Sequence, residues 1–220
     1  HTLENESDAD VNRDHLNLRS PEARAVARVA IDWRPDVVID LHDVEPGGDR
    51  EEVLYVWPRD LNVDEEVHDL AMQIGTDHIE AQARANGYTS SALDTDSLEG
   101  DVHRPVDDDE GTLTNAMGLR HALALFVGST VSEDADGDDS DDAAVNRRRV
   151  DSHYVSVLAA LRFLREEGDE AMQASAGAAR RKTAEGRDQS APVFFDGADN
   201  EQPSKVQDPP PCGYLLSQKQ

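Results

Sequence analysis

Asn12 and Arg13 stand side by side in a polar stretch, Val11-Asn12-Arg13-Asp14-His15, near the start of a 220-residue chain. An amide beside a guanidinium gathers several N–H donors in one place, and the planar guanidinium fork matches a carboxylate. Further on, the run Pro35-Asp36-Val37-Val38-Ile39-Asp40-Leu41-His42-Asp43 ends on a histidine. A neutral imidazole is a natural ligand for zinc. A lone histidine at a strand end is more often a hydrogen-bonded structural residue, so the weight rests on the combination. The chemistry in prospect is a grip on a free carboxylate by Asn12 and Arg13, next to a metal held in part by His42.

The intervening elements must position these groups. Ser20-Pro21-Glu22 is a helix start, with serine as N-cap, proline at the first helical position and an acid in the first turn. Ala23, Val26, Ala27, Ala30 and Ile31 mark an apolar face at helical spacing, and Pro35 ends the segment. Val37–His42 is β-branched and apolar, which predicts a buried strand with His42 at its C-terminal edge. Open α/β sheets hold their ligands at that edge. Val53–Trp57 reads as a second strand, 62–86 as a helix ended by Gly87, and Leu123–Thr130 as a third strand. Residues 146–167 predict a strong helix and 169–185 a weaker, Ala-rich one. The polar stretches 88–116 and 132–143 read as exposed loops, the first with short strands. Strands alternating with helices argue for an α/β sandwich. The expected organisation is one domain over 1–167, with an Ala-rich helix and Pro-rich tail over 168–220 packed on it.

The order Asn-Arg-Asp, helix, Pro-Asp-x-x-x-Asp-x-His resembles the zinc carboxypeptidase family, whose familiar members are carboxypeptidases A and B. The later segment Gly118–Val127, followed by an Arg-rich helix, is similar to that family's catalytic strand region. The resemblance spans roughly residues 8–165 and implies a mixed, largely parallel sheet flanked by helices, a partial carboxypeptidase-like α/β/α sandwich. It implies Asn12 and Arg13 as binders of the substrate's terminal carboxylate, His42 as a metal ligand, and one zinc ion as cofactor. The implied partner is a peptide or small molecule with a free carboxylate, and the implied reaction is metal-assisted hydrolysis of a C-terminal peptide bond.

Two departures accompany it. The family's His-x-x-Glu pair of zinc ligands lies after a strand upstream of Asn-Arg. Here His1-Thr2-Leu3-Glu4 matches formally but has no strand before it, and His42-Asp43-Val44-Glu45 matches after one. The family also places a glutamate on the catalytic strand as general base; the aligned position is Gly128, which cannot take a proton. Glu133 is the nearest acid, and Tyr88 lies too far upstream for the substrate-capping tyrosine. His103 and His121 are further candidate ligands, each more often core-satisfied or exposed. Asp134–Asp139 lacks the glycine position and closing glutamate of a calcium loop, and Asp107–Glu110 reads as a solvated acidic run. Two alternatives stand beside the peptidase: a zinc-dependent deacylase or desuccinylase of small acylated amino acids, and a non-catalytic carboxylate-binding domain.

Composition bounds the rest. Against 47 Asp+Glu stand 21 Lys+Arg, a net charge of -26, and only three of the bases are lysines. No basic face for nucleic acid can be assembled, and an anionic membrane surface would repel the chain. Hydrophobic residues at 37%, gathered into runs, argue against disorder. Excess aspartate with scarce lysine suits a protein of a high-salt cytoplasm, where ions screen self-repulsion. Cys212 is alone, so no internal disulfide forms. The start at His1, without Met or an apolar leader, reads as a fragment or processed piece, and a sheet cut upstream would leave an open edge.

Overall fold

The computed structural model describes residues 10–44, 50–93, 109–131, 142–199 and 202–213. A mixed sheet of four strands, flanked by helices, forms the centre: an α/β fold. Strands β1 (Val37–Asp43), β2 (Val53–Val56), β3 (Ser90–Ala92) and β4 (Leu123–Ser129) lie in the order β1-β4-β2-β3. β1 runs parallel to β4 and β2 parallel to β3, while β2 and β4 are antiparallel. β4 is buried at every position, as a strand covered on both faces must be. β1 has a comparable apolar sequence, yet it occupies the sheet edge and is only half-buried. The expectation of a buried strand is therefore corrected: the residue run fixes a strand, but what covers it depends on neighbours.

Helix α1 (Pro21–Trp33) starts as expected, with the Ser20 hydroxyl accepting the Ala23 N–H. It lies over one face of the sheet, where Ala30 packs with Met117, Ala122 and Ala124. The opposite face carries the main core. Leu123, Leu125 and Val127 of β4 and Val53 and Tyr55 of β2 meet helices α2 (Glu65–Gln73), α3 (Glu80–Ala85) and α5 (Asp142–Asp188) there. The predicted helix 62–86 is thus divided: a π-helical turn, Ile74–Ile79, joins α2 to α3. Gly75 sits in that turn with the Tyr55 ring where its Cβ would be, at 2.5 Å, and the Tyr55 hydroxyl donates to Glu80. The two helices expected after residue 146 are both present within α5, meeting at a kink where the Glu167 backbone is not helical. Beyond the bend, Ala171, Ala174 and Ala178 bury in the main core, so small side chains let the second half of α5 approach closely.

The polar stretch 88–116 holds an unexpected buried helix, α4 (Leu113–Gly118), capped by the Thr112 hydroxyl. The last elements, β5 (Val193–Phe195) and β6 (Lys205–Gln207), make an antiparallel hairpin. An ionic cluster ties this hairpin region to the end of β2. Asp199 accepts from Arg59 Nε at 2.6 Å, from Trp57 Nε1 at 2.9 Å and from His68 Nε2 at 3.2 Å. Burial alone would raise the Asp199 carboxyl, but these donors outweigh it and hold it at about 2. The hydrogen bond to Asp199 raises His68 above its ordinary 6.5 against the pull of burial. With His68 protonated, both ring nitrogens donate, Nδ1 reaching Asp69 at 2.8 Å, and the Trp57 proton goes to Asp199 rather than to the nearby imidazole. No helix among the described residues is long and apolar enough to cross a membrane.

The signs of these shifts set a pH window. The Asp199 contribution is complete above pH 3.8 and lost as pH falls through about 2. The His68 contribution is complete below pH 6.5 and lost as pH rises through its elevated folded value. Docking of the hairpin should therefore be strongest between those limits, and His68→Ala should flatten the alkaline side. Amide hydrogen exchange at residues 193–207 across pH 4–9, in concentrated salt, measures it; protection in the native protein that does not fall on the alkaline side would refute the assignment.

Candidate functional site

Asn12 and Arg13 belong to a single 3-10 turn, Val11–Arg13, shaped by Asp10, whose Oδ1 accepts the Asn12 N–H at 3.0 Å. Arg13 is already engaged with carboxylates: Nη1 donates to Asp109 Oδ2 at 2.9 Å, and Nε lies 3.8 Å from Asp10 Oδ2. Asn12 is buried and its Oδ1 accepts from the Leu113 N–H at 3.5 Å, at the long limit for a hydrogen bond. Asp14 takes the N–H groups of Arg19 (2.9 Å) and Ser20 (2.5 Å), which hold its carboxyl below the usual range. Its work is to shape the entry into α1.

The segment opposite the turn is built with equal care. The His15 N–H donates to the Gly111 carbonyl at 2.9 Å, and a Cβ on Gly111 would stand 2.7 Å from the Arg13 carbonyl oxygen. Asn115, fully buried on α4, organises this loop: Oδ1 accepts the N–H groups of Arg59 (2.8 Å) and Asp60 (3.3 Å), and Nδ2 donates to the Asp109 carbonyl at 3.1 Å. The run Asp107–Glu110 is thus corrected at Asp109, which is the partner of Arg13 rather than a bland solvated acid; Asp107 and Asp108 lie outside the described residues.

His42 occupies the C-terminal end of β1, as the sequence predicts. Residues Val38, Asp40 and His42 share one face with Ala124, Phe126 and Gly128 of β4 through the parallel register. The His42 ring stacks on Phe126 with centroids 4.7 Å apart, and Nε2 lies 2.8 Å from Asp40 Oδ2, an ion-pair approach without hydrogen-bond alignment. The His42 carbonyl accepts from His153 Nε2 on α5 at 3.0 Å, which fixes the proton of His153 on that nitrogen. Burial lowers His153, and it also lowers His15, whose Nδ1 has no hydrogen-bond partner. Asp40 acts on His15 in the opposite sense, so one carboxylate feels both His15 and His42. Asp40 stands in the Pro-Asp-x-x-x-Asp-x-His pattern two residues before His42, whereas nothing in spacing alone brings His15 to it.

Gly128 faces His42 directly across the strand pair. A Cβ there would lie 2.5 Å from Val44 Cγ2 and 3.0 Å from the Phe126 ring. The position that the resemblance aligns with a general base is therefore closed by neighbouring side chains. Of the zinc ligands considered with His42, His1, Glu4 and Glu45 lie outside the described residues, as do His103, Glu133 and Asp134–Asp139. Among the described residues, no three His, Cys, Asp or Glu side chains converge as a metal shell. Tyr88 is elsewhere, beneath the Arg148 guanidinium beside Glu52. His121 lines a cleft of about 680 Å³ at the opposite, N-terminal edge of β1 and β4. There Arg34 and Arg120 sit where α1 and α4 end, and Arg120 donates back to the Ala116 carbonyl at 3.1 Å.

No family model matches this chain, and no curated protein or solved structure matches it either. The site stands on its geometry alone.

Asn115 gives that geometry a test. Asn115→Leu strands two backbone N–H donors in the interior, at about 1–3 kcal/mol each. Urea unfolding in concentrated salt should show a loss of ~2 kcal/mol or more, and wild-type stability would show that Asn115 does not hold the loop.

Proposed function

We propose that this protein is a carboxypeptidase-like α/β domain that binds a free carboxylate, of a peptide C-terminus or a small acylated amino acid, without hydrolysing the ligand. The observation that carries this reading is the Arg13–Asp109 pair: the guanidinium, fixed on a short rigid turn next to Asn12, already holds a carboxylate at 2.9 Å. A ligand carboxylate offers the same chemistry and would bind by taking the place of Asp109. Exchange of one carboxylate for another keeps the charge-assisted hydrogen bond, so Arg13 is never left unpaired. The crowding at Gly128 supports a site without a general base, since a glutamate side chain there would have to displace Val44 and Phe126.

Zinc-dependent hydrolysis, of C-terminal peptide bonds or of small acylated amino acids, is the second reading. The placement of His42 favours it: a histidine at the C-terminal end of a parallel strand, its ring oriented by Phe126 and its Nε2 beside Asp40. The described residues supply too few ligands to derive a step through the ion.

Two measurements separate these readings. Binding of hippurylphenylalanine to the full chain in concentrated salt should be lost in Arg13→Ala and strengthened several-fold in Asp109→Asn, which removes the internal competitor. Equal binding by all three proteins would reject the carboxylate site. Zinc near one per chain, together with release of phenylalanine from the same compound, would replace the binding reading by the hydrolytic one.

A further inference from the structure

The cleft at the N-terminal edge of β1 and β4 is walled mainly by small apolar side chains. Ala30 of α1, Met117 of α4 and the nearby Ala122 are buried and form its floor. Ile31 of α1 and Ala176 and Ala179 of α5 complete the walls and are exposed at the rim. Alanine at these positions leaves an open volume of about 680 Å³. Small-molecule sites span roughly 300–1,000 Å³.

The polar groups of this cleft run against the charge of the chain. Arg34 and Arg120 line it, and neither meets a carboxylate among the described residues. At a net charge of -26, other arginines do find one: Arg13, Arg59, Arg148, Arg149 and Arg181. Arg120 gives one Nη1 proton to the Ala116 carbonyl at 3.1 Å, which leaves most of its fork open. Burial lowers His121 from its ordinary value, Arg181 and Lys182 act in the same sense, and Asp64 opposes them. Asp36 is the acid in the wall.

The backbone is strained at two of these residues. The Arg34 N–H closes α1 on the Ala30 carbonyl at 3.1 Å, with Arg34 left-handed at φ 45°. Beyond α4, the Ala122 N–H bonds the Met117 carbonyl at 3.0 Å and the His121 N–H the Gly118 carbonyl at 2.8 Å. His121 is left-handed in that turn, at φ 70°. Glycine is the usual residue at such helix ends, because a Cβ is disfavoured there. Here the strained positions instead set a guanidinium and an imidazole on one cleft. Strain of this kind gathers at ligand sites.

We propose that this cleft binds a small organic monoanion, a carboxylate on a compact apolar body, with its head on Arg34 and Arg120. The guanidinium fork matches a carboxylate. Asp36 in the wall weighs against a doubly charged phosphate. The apolar body lies against Ile31, Met117 and the alanines. The site shares no residue with the Arg13 turn and does not depend on the reading given to that turn.

The test is a nuclear magnetic resonance titration of the full chain, carbon-13 labelled at its methionine methyls, with 4-phenylbutanoate. The solvent is about 1 M KCl, where the net charge is screened beyond ~3 Å. The Met117 methyl signal should shift and saturate with a Kd on the order of 1 mM, as befits a ligand of this size. The double variant Arg34→Ala with Arg120→Ala should bind roughly ten-fold more weakly or worse, with unchanged far-ultraviolet circular dichroism. So should Ala176→Trp, which fills the cleft from an exposed position. The uncharged 4-phenylbutanamide should bind the native chain more weakly by a similar factor. Arg13→Ala should bind the carboxylate as the native chain does. No saturating shift by ~20 mM, well above the expected Kd, overturns the proposal. So does native affinity in the double variant or in Ala176→Trp, or for the amide. Loss of binding in Arg13→Ala overturns it too, by placing the probe on the Arg13 turn.

Discussion

The pairing of β1 with β4 is the constraint on which the rest of the structure depends. Seven residues of each strand are in parallel register, from Val37 against Leu123 to Asp43 against Ser129. That register sends Leu123, Leu125 and Val127 into the main core and Ala124, Phe126 and Gly128 to the other face. A slip by one residue would bury Asp40 and His42 among Phe163 and the α2 side chains, at the cost of two unpaired polar groups in an apolar core. The same register sets His42 against Gly128 and gives it the Phe126 ring to stack on. Position 128 is kept small by Val44 and Phe126, whose side chains converge there.

Arginine does the electrostatic work that lysine does in most proteins. Of 21 bases, 18 are arginines, and many lie on carboxylates of distant segments: Arg59 on Asp199, Arg148 on Glu52, Arg149 on Asp43, Arg181 on Asp64. The more exposed of these, such as Arg148 with Glu52 and Arg149 with Asp43, contribute little to stability individually. Their geometry still matters, because each clamps an element to its neighbour. Arg181 fastens the second half of α5 to the N-cap of α2, and Arg148 spans from α5 to the start of β2. The planar fork suits such links better than an ammonium does.

Much of this was legible in the sequence, for reasons that can be named. Ser20-Pro21 announced α1, and β-branched runs announced β1, β2 and β4, because capping and local apolar pattern act within a few residues. The helix 62–86 was legible as a helix but not as one with a π-turn, since Gly75 yields to Tyr55, which is twenty residues upstream. Helix α4 was hidden because it is only six residues long and much of what it buries is polar: Thr112 and Asn115 are satisfied by hydrogen bonds that no periodicity reveals. The edge position of β1 depends on strand order, which residue type does not encode. Asn12, Arg13, Asp40 and His42 are candidates by kind and order in the sequence, whereas the approach of Asp109 to Arg13 and of Asp40 to His15 joins segments far apart in the chain.

The surface charge and the Arg13 site look contradictory, since a chain of -26 should repel any carboxylate ligand. The conflict dissolves when range is considered. The summed field of distant acids is screened beyond a Debye length, about 3 Å at 1 M salt. A hydrogen-bonded contact at 2.9 Å lies inside that length and escapes most of the screening. In concentrated salt a ligand bound as proposed would meet local chemistry rather than net charge, and its competitor would be Asp109, tethered beside the guanidinium. The tether gives Asp109 a high effective concentration, so a free carboxylate displaces it only with help from contacts made by the rest of the ligand. Under the proposed reading, selectivity would come from the body attached to the carboxylate, and simple salts of small acids would stay out.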